Sequence, residues 1–361
     1  MTSRERLRRC YFHEELDRPG VYSRTNYPAG DPSYDRLKAY LQTHADLKQS
    51  WSGRQFELPA TTEQWSEPHS EEFDRRVTIL HTPKGDLRST RFVSRRGLPG
   101  FEETYFIKSR QDAEAYLALP LPEVAGDVTA FLAADRALGA RGIMDVTLGL
   151  NPAGFVAELC GSELFALMSV TDRDILLALC ERQMRIILNA LKFLLARNVG
   201  PYFSMLGEEF AVPPLHGWQD FRDFNVQFDK PILDLIHNAG GRIHIHCHGS
   251  IKTVFQGFLE VGADVLHPFE APPMGDLTPA EAKKFAHGRL CLEGNIQIAD
   301  MYEKHPPHIR EQTRALIKTC FADRRGLIVS PTASPYIRGA GEQCFPQYQA
   351  MVDEVLAFTP V

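Results

Sequence analysis

The feature that most constrains the fold is a regular alternation of short apolar or β-branched runs with helical stretches after about residue 125. Alternation of this kind with short connections is typical of a parallel sheet. The predicted strands are 143–146, 202–206, 242–246, 265–266, 290–294 and 327–330. The predicted helices are 153–159, 172–197, 221–239, 251–260, 278–287, 308–321 and 346–357.

The number of these units fits a closed barrel better than an open sheet, because no glycine-rich phosphate loop follows any of the strands. We therefore predict an α/β fold, a (β/α)8 TIM barrel. Residues 1–124 lack the alternation and are predicted to form an N-terminal extension. It would hold helices at 2–16 and 33–43 and a hairpin at 76–93. The chain is thus predicted to be a single domain of residues 1–361, with its barrel at 125–361.

Charge and cysteine usage exclude several classes of protein. The net charge is −6 and no long basic block occurs, which argues against a nucleic-acid partner. The 7 cysteines form no CxxC pair, and their odd number favours a reducing compartment over a disulfide framework. No signal-peptide core is present, and no apolar run reaches the roughly 18 residues of a membrane span. We expect a cytoplasmic protein without a membrane partner.

Histidines alternate with isoleucines between residues 243 and 248, after a pair of glycines. A period of two predicts a strand on which His244, His246 and His248 share one face and Cys247 faces the other way. One histidine on a strand is usually structural, but three imidazoles on one face need partners once they are buried. We interpret this stretch as a functional site at the end of a barrel strand. A structural or merely exposed cluster is the alternative.

Carboxylates follow two other predicted strands, and the strand ends of a parallel barrel lie on one rim. Glu208 and Glu209 are adjacent, so one can serve as a ligand while the other, with a raised pKa, acts as a base. An exposed acidic turn is the alternative for this pair. Glu293 precedes a glycine and is expected to bind metal or to pair with an arginine or a histidine. The other rim candidates, all predicted to bind substrate, are Asn151, His267, Asn295, Gln297 and Tyr336.

The loop at 24–32 is rich in turn residues and carries Arg24, Asn26 and Tyr27, which can reach a substrate pocket. A surface turn explains the loop equally well. Imidazole and carboxylate ligands together suit zinc or another divalent metal. We predict His246 and His248 as metal ligands, with Glu209 completing the shell.

Several stretches taken together resemble the uroporphyrinogen decarboxylase superfamily, which includes zinc-dependent methyltransferases that take methyl groups from corrinoid carriers. The resemblance runs nearly end to end, and the order and spacing of its motifs are more specific than any single motif. It implies a (β/α)8 barrel with its site at the C-terminal rim, and a homodimer. The motifs are SRERL at 3–7, LDRP at 16–19, TPKGDLR at 82–88, GEE at 207–209 followed by PP at 213–214, the stretch 232–249, VGADVLHP at 261–268, GRL at 288–290 and EGNI at 293–296.

The chain departs from both branches of this superfamily. The decarboxylases carry an Arg-Gln-Ala-Gly-Arg-Tyr segment that grips the tetrapyrrole carboxylates, whereas residues 22–28 here keep only Arg24 as a cation. The methyltransferases hold zinc with His-x-Cys-Gly and a later cysteine. Here His248 takes the place of the first cysteine, and Ala333 or Ser334 that of the second. The resemblance therefore implies a metal shell rich in nitrogen and oxygen, which is a weak activator of thiols.

We accordingly predict a metal-dependent methyltransferase, with zinc as its metal, that moves a methyl group between a small methylated compound and a corrinoid carrier protein. Glu208, Glu209 and Glu293 are the predicted catalytic carboxylates. One alternative is a metal-free decarboxylase or lyase acting on a small carboxylated or tetrapyrrole-like substrate. In it, His246 and His248 would donate protons and Arg24 would grip the carboxylate. The other alternative is a non-catalytic binder of a corrinoid or tetrapyrrole.

Overall fold

The computed structural model describes residues 1–53, 56–57 and 60–359. Its strands are β1 (Gly20–Val21), β2 (Leu47–Trp51), β3 (Phe56–Glu57), β4 (Thr62–Pro68), β5 (Phe73–Thr82), β6 (Gly85–Ser94), β7 (Phe101–Thr104), β8 (Glu123–Val124), β9 (Gly142–Leu150), β10 (Tyr202–Leu206), β11 (Arg242–His246), β12 (Val265–His267), β13 (Cys291–Ile296) and β14 (Leu327–Pro331).

Its α-helices are α1 (Ser3–Tyr11), α2 (Asp35–His44), α3 (Arg110–Leu117), α4 (Thr129–Leu138), α5 (Pro152–Cys160), α6 (Ser162–Thr171), α7 (Arg173–Leu195), α8 (Trp218–Asp220), α9 (Gln227–Asn238), α10 (Phe255–Val261), α11 (Pro279–Ala286), α12 (Asp300–Glu303), α13 (Pro306–Cys320) and α14 (Gly341–Leu356). Shorter segments are 3₁₀-helical at Pro32–Tyr34, Gly139–Arg141, Glu208–Ala211 and Lys252–Val254, and π-helical at Phe221–Val226.

Eight parallel strands form one curled sheet in the order β1-β14-β13-β12-β11-β10-β9-β2. Helices flank this sheet, so the predicted α/β barrel architecture is confirmed. The two end strands, β1 and β2, meet at a seam where the described residues form no strand pairing. There the amide of Asp46 donates to the carbonyl of Val21 over 2.9 Å, and the Asp46 carboxylate accepts from the amide of Val21 over 3.0 Å.

The placement of residues 1–124 outside the barrel is wrong for two strands, because β1 and β2 both belong to the eight-stranded sheet. Strand β1 has only two residues, which is too short to show a period. Strand β2 reads Leu-Lys-Gln-Ser-Trp and has no apolar alternation, since its inward positions carry the polar side chains of Lys48 and Ser50. A periodicity argument therefore finds neither strand.

The predicted hairpin is present and belongs to a larger sheet. Strands β5 and β6 pair in register from Phe73–Ser94 to Thr82–Gly85, and β4 and β7 extend them into a four-stranded antiparallel sheet. Strand β4 is exposed along most of its length, which removes the apolar alternation that would reveal it.

The predicted helices of the barrel half are found within a few residues of their expected ends. Helix α7 covers most of the predicted 172–197, and α13 most of 308–321. Their apolar faces pack on the outer face of the sheet, where Ile243, Ile245 and Val329 are fully buried. Among the described residues, no single helix is long and apolar enough to cross a membrane. One pair, α5 and α6, passes by length and composition but is bent by 106°.

Candidate active site inside the barrel

Strand β11 separates an apolar face from a polar one, as its alternation predicts. Ile243, Ile245 and Cys247 lie in the core between sheet and helices, each at most 1% exposed. His244 and His246 lie on the opposite face and line a cavity inside the barrel. The third histidine of the pattern, His248, follows the end of the strand.

The cavity has a volume of about 290 Å³. It reaches from the barrel interior to residues that follow the carboxyl ends of the strands, which is the usual place for chemistry in this architecture. Its size is at the lower end of the range for ligand pockets, so it suits a small ligand. Most of its lining is polar: Arg24, Thr25, Asn26, Lys48, Ser50, Ser52, Asp145, Thr147, Ser204, His244, His246 and Ser334.

A buried ion pair crosses the barrel between β2 and β13. The Lys48 Nζ lies 2.9 Å from Oε2 and 3.3 Å from Oε1 of Glu293, and both side chains are at most 4% exposed. The Nε2 of His244 lies 3.5 Å from the same Oε2. Burial by itself raises the pKa of the Glu293 carboxyl, but Lys48 and His244 hold that pKa well below its usual value. Glu293 is therefore an ionised carboxylate in the folded protein.

A second set of contacts joins His246 and His267, which are register partners on β11 and β12. Their Nδ1 atoms lie 2.8 Å apart, and the Nε2 of His267 lies 3.0 Å from the carbonyl oxygen of Pro331. The Nη1 of Arg24 lies 3.2 Å from Nδ1 of His246 and 3.3 Å from Nδ1 of His267. Burial lowers the pKa of both imidazoles, and the nearby guanidinium of Arg24 lowers them further, so both rings are neutral.

Three of these side chains fit a metal ion. Ligand atoms of His244, His267 and Glu293 all lie within 4.8 Å of one another, the single such group of three in the part of the chain that the structure describes. Both ring nitrogens of His244 are buried without a hydrogen-bond partner among the described residues, which is a costly arrangement unless something else binds them. Two imidazoles and a carboxylate are a common donor set for zinc and other divalent metals.

The predicted metal ligands His246, His248 and Glu209 do not form such a group of ligand atoms within 4.8 Å of one another. The Nδ1 of His248 lies 2.9 Å from Oε2 of Glu270, which was not among the predicted site residues. The carboxylate of Glu209 accepts from the amide of Gly207 over 3.2 Å, and burial raises its pKa. His246 and His248 do approach each other, with ring centroids 4.7 Å apart. Their role as ligands stays a prediction.

Glu208 and Asn151 belong to a different buried cluster, beside the outer helices. Asn151 caps α5, accepting from the amide of Gly154, and donates to Asn225 and Asp229. Both carboxylate oxygens of Glu208 are buried, and neither has a hydrogen-bond partner in the part of the chain that the structure describes. Burial, together with Asp229, raises the pKa of Glu208 well above its usual value. Neither Glu208 nor Asn151 lines the cavity.

The remaining substrate candidates divide between the cavity and its surroundings. Arg24 and Asn26 line the cavity, whereas Tyr27 lines a neighbouring one of about 540 Å³ and has a pKa raised to about 12 by burial. Asn295 donates to the carbonyl of Phe269 over 2.9 Å. Gln297 lies at the limit of hydrogen-bond distance from Thr332, and Tyr336 is 61% exposed.

Sequence reasoning did not select Lys48, Asp145 or Ser204 as site residues. Asp145 accepts from the hydroxyl of Ser204 over 2.9 Å inside the cavity. Asp145 is the one polar residue in an apolar strand run, which is a signal that could have found it. Lys48 lies in a polar strand, and no feature of the neighbouring sequence identifies it as a site residue. His244 was placed on the correct face but was not selected as a ligand.

Comparison with known families matches residues 155–334 to uroporphyrinogen decarboxylase. This range contains five of the eight barrel strands, β10 to β14, and all three residues that fit a metal. No curated protein matches the chain. Two solved structures of D-psicose 3-epimerase, one with D-fructose and one from Clostridium cellulolyticum with D-tagatose, match 64% of this chain and 92% of theirs at 11% identity. Their TM-scores of 0.34 and 0.35 are too low to carry an argument.

One solved structure is similar over the whole length. A methyltransferase from Methanosarcina mazei matches 99% of this chain and 100% of its own, with a TM-score of 0.63 and 12% identity. At this identity the likeness establishes the fold alone. The family match, the full-length likeness and the barrel with its rim-facing site agree with one another. The family match over residues 155–334, together with the barrel fold, supports the assignment of the chain to the uroporphyrinogen decarboxylase-like superfamily.

Proposed function

We propose that the protein is a metal-dependent methyltransferase that moves a methyl group between a small methylated compound and a corrinoid carrier protein. The observation that carries the proposal is the His244, His267 and Glu293 group beside a small polar cavity. The full-length likeness to a solved methyltransferase supports the same reading.

In this proposal His244, His267 and Glu293 hold zinc. Lewis-acid activation of a substrate heteroatom is the chemistry that such an ion supplies when bound. Lys48 keeps Glu293 ionised, and burial lowers the pKa of His244, so both groups present lone pairs. The donor set contains no sulfur, although all seven cysteines are free thiols, because each of them is buried elsewhere.

Arg24 gives the cavity a positive group for substrate recognition. It makes no ion pair with any carboxylate of the described residues, and its only side-chain partners there are the two imidazoles. A guanidinium without a carboxylate partner favours an anionic group on the ligand. The cavity of about 290 Å³ limits that ligand to a small molecule.

Metal content tests the proposal directly. The protein is purified without chelator, and zinc is measured by mass spectrometry in the wild type, in His244→Ala and in the exposed control His308→Ala. We expect about one equivalent in the wild type and in the control, and none in His244→Ala. A fourth variant, His248→Ala, separates this ligand set from the one predicted from sequence, because it should retain the metal. Loss in His248→Ala with retention in His244→Ala would contradict our assignment.

A metal-free decarboxylase or lyase is the second candidate, and one observation favours it. The ammonium of Lys48 already neutralises Glu293, the only anionic member of the metal group. In that reading Arg24 grips the substrate carboxylate. Wild-type protein that folds, contains no metal and decarboxylates a small acid would replace the first proposal with this one.

A further inference from the structure

Two side chains of opposite charge line the small cavity without an ion-pair partner. Arg24 reaches the cavity from the loop that follows β1, and Asp145 reaches it from the inward face of β9. Neither forms an ion pair with any of the described residues, and they do not pair with each other. Asp145 is only 5% exposed, so its charge is costly to leave without a cation.

The Asp145 end of the cavity offers acceptors to a ligand. The Ser204 hydroxyl donates its one hydrogen to Oδ2 of Asp145 over 2.9 Å, so Ser204 can bind a ligand only as an acceptor. Oδ1 of Asp145 has no hydrogen-bond partner among the described residues. Lys48 does not fill this role, because its Nζ lies 2.9 Å from the carboxylate of Glu293. A ligand group at this end must therefore be a donor, and the charge of Asp145 favours a cation.

The Arg24 end of the cavity offers donors. Nη1 of Arg24 contacts the rings of His246 and His267, whereas its Nη2 and Nε make no hydrogen bond with the parts of the chain that the structure describes. These two N–H groups lie side by side on the guanidinium, which is the arrangement that binds both oxygens of a carboxylate.

The strand register indicates how far apart the two ends lie. Ser204 on β10 is the register partner of His244 on β11, and Arg24 contacts His246, two residues further along β11. Two residues of a parallel strand span about 6.6 Å. An ammonium and a carboxylate on one carbon atom, each making a charge-assisted hydrogen bond of about 2.8 Å, bridge a separation of this size.

We propose that the cavity binds a small zwitterion, an amino acid or its N-methyl derivative, with the protonated amine on Asp145 and Ser204 and the carboxylate on Arg24. The nitrogen keeps at least one hydrogen, because the groups that meet it are acceptors. The inference rests on the proposed function, whose small methylated compound it identifies by class. A zwitterion that binds to protein without zinc would leave the inference standing while the proposed function failed. Zinc binding without zwitterion binding would do the reverse.

The test is isothermal titration calorimetry of the full-length wild-type protein with ligands of matched shape. In 3-methylbutanoate a C–H group replaces the N–H group of N,N-dimethylglycine, and in N,N-dimethylisobutylamine an isopropyl group replaces the carboxylate. We expect N,N-dimethylglycine to bind at least about 10-fold more tightly than either analogue. Equal or tighter binding of 3-methylbutanoate would overturn the proposal. So would a lack of binding by glycine, N-methylglycine and N,N-dimethylglycine alike.

Three variants then assign the two ends of the ligand. Asp145→Asn should weaken N,N-dimethylglycine at least about 10-fold while changing 3-methylbutanoate little, because only the former carries the amine. Arg24→Gln should weaken both, and the exposed control Glu158→Gln neither. Circular dichroism verifies that each variant is folded, and the wild-type comparison decides the proposal even if Asp145→Asn does not fold. Folded Asp145→Asn with wild-type affinity for N,N-dimethylglycine would show that Asp145 does not bind the amine.

Discussion

Lys48 and Glu293 are each other's main charge partner, and both side chains are at most 4% exposed. Removing one member of such a pair leaves a buried charge without compensation, which costs about 3–5 kcal/mol. Removing both leaves no charge behind and often changes the free energy of unfolding very little. The effect of either residue on the stability of the protein therefore depends on whether the other one is present.

We expect Lys48→Met to lower the free energy of unfolding by about 3 kcal/mol or more. Adding Glu293→Gln should recover most of the loss, because the orphaned carboxylate is then gone. Urea unfolding of the two single variants and the double variant measures the coupling. A double variant that loses the sum of both single losses would show that the two charges do not interact.

The pH dependence of stability should reveal Glu208. Its folded pKa is raised by burial and by Asp229, so the folded state binds a proton that the unfolded state releases above about pH 4.3. The contribution of Glu208 to the free energy of unfolding is therefore fully present below that pH. It is lost as the pH rises through the folded pKa. The loss is at most about 1.4 kcal/mol per pH unit for a single group.

Glu208→Gln removes this titration, so we expect its stability to fall less steeply than that of the wild type between pH 5 and pH 8. Urea unfolding at several pH values measures both slopes. Glu158→Gln is the matched control, since Glu158 is exposed on α5. Equal slopes for the wild type and Glu208→Gln would mean that Glu208 is ionised in the folded protein.

At the scale of elements, the seam between β1 and β2 depends on Asp46. This fully buried carboxylate lies 2.7 Å from Nη1 of Arg6 and 2.9 Å from Nη1 of Arg18, and it also accepts from the amide of Val21. Asp46 thus bonds to Val21 of β1 through both its backbone amide and its carboxylate, and the same carboxylate also pairs with Arg6 and Arg18.

Asp46→Asn removes the charge while nearly keeping the shape. We expect a loss of about 3 kcal/mol, because Arg6 and Arg18 are left without their shared carboxylate in a buried site. Relative to the wild type, hydrogen exchange in this variant should accelerate more at the amides of β1 and β2 than at those of β11. Asp234→Asn on α9, whose pair with Lys230 is about half exposed, should cost under about 1 kcal/mol. A uniform change in exchange across the sheet would contradict a local role at the seam.

The elements that could be predicted from sequence are those that bury one face, because burial of one face makes apolar residues repeat at regular intervals along the chain. Strand β11 and helix α7 each bury a complete apolar face, so their residues repeat visibly along the chain. Strands β1 and β2 are held by pairing and by Asp46, which are contacts between distant parts of the chain. No local pattern records such contacts.

At the scale of the whole molecule, the barrel and the superfamily were predicted correctly, whereas the catalytic and ligand roles of the site residues stay predictions. Glu293 and the histidines of β11 were recognised because imidazoles and a carboxylate at strand ends are unusual. The pairing of Lys48 with Glu293 could not be predicted, since β2 and β13 meet only when the sheet curls. Glu208 follows a strand and was therefore expected on the rim, but it does not line the cavity, and its backbone carbonyl accepts a hydrogen bond from Asn225.

The seam also determines when the barrel can close during synthesis. Strand β1 is synthesised before every other strand of the barrel, and its hydrogen-bonded partner β14 is synthesised after them. Until β14 is made, the growing sheet has two open edges, which are templates for unwanted pairing with other chains. Closure of the barrel therefore waits until β14 has been synthesised, and a chain that stops before Leu327 has no hydrogen-bonding partner for β1.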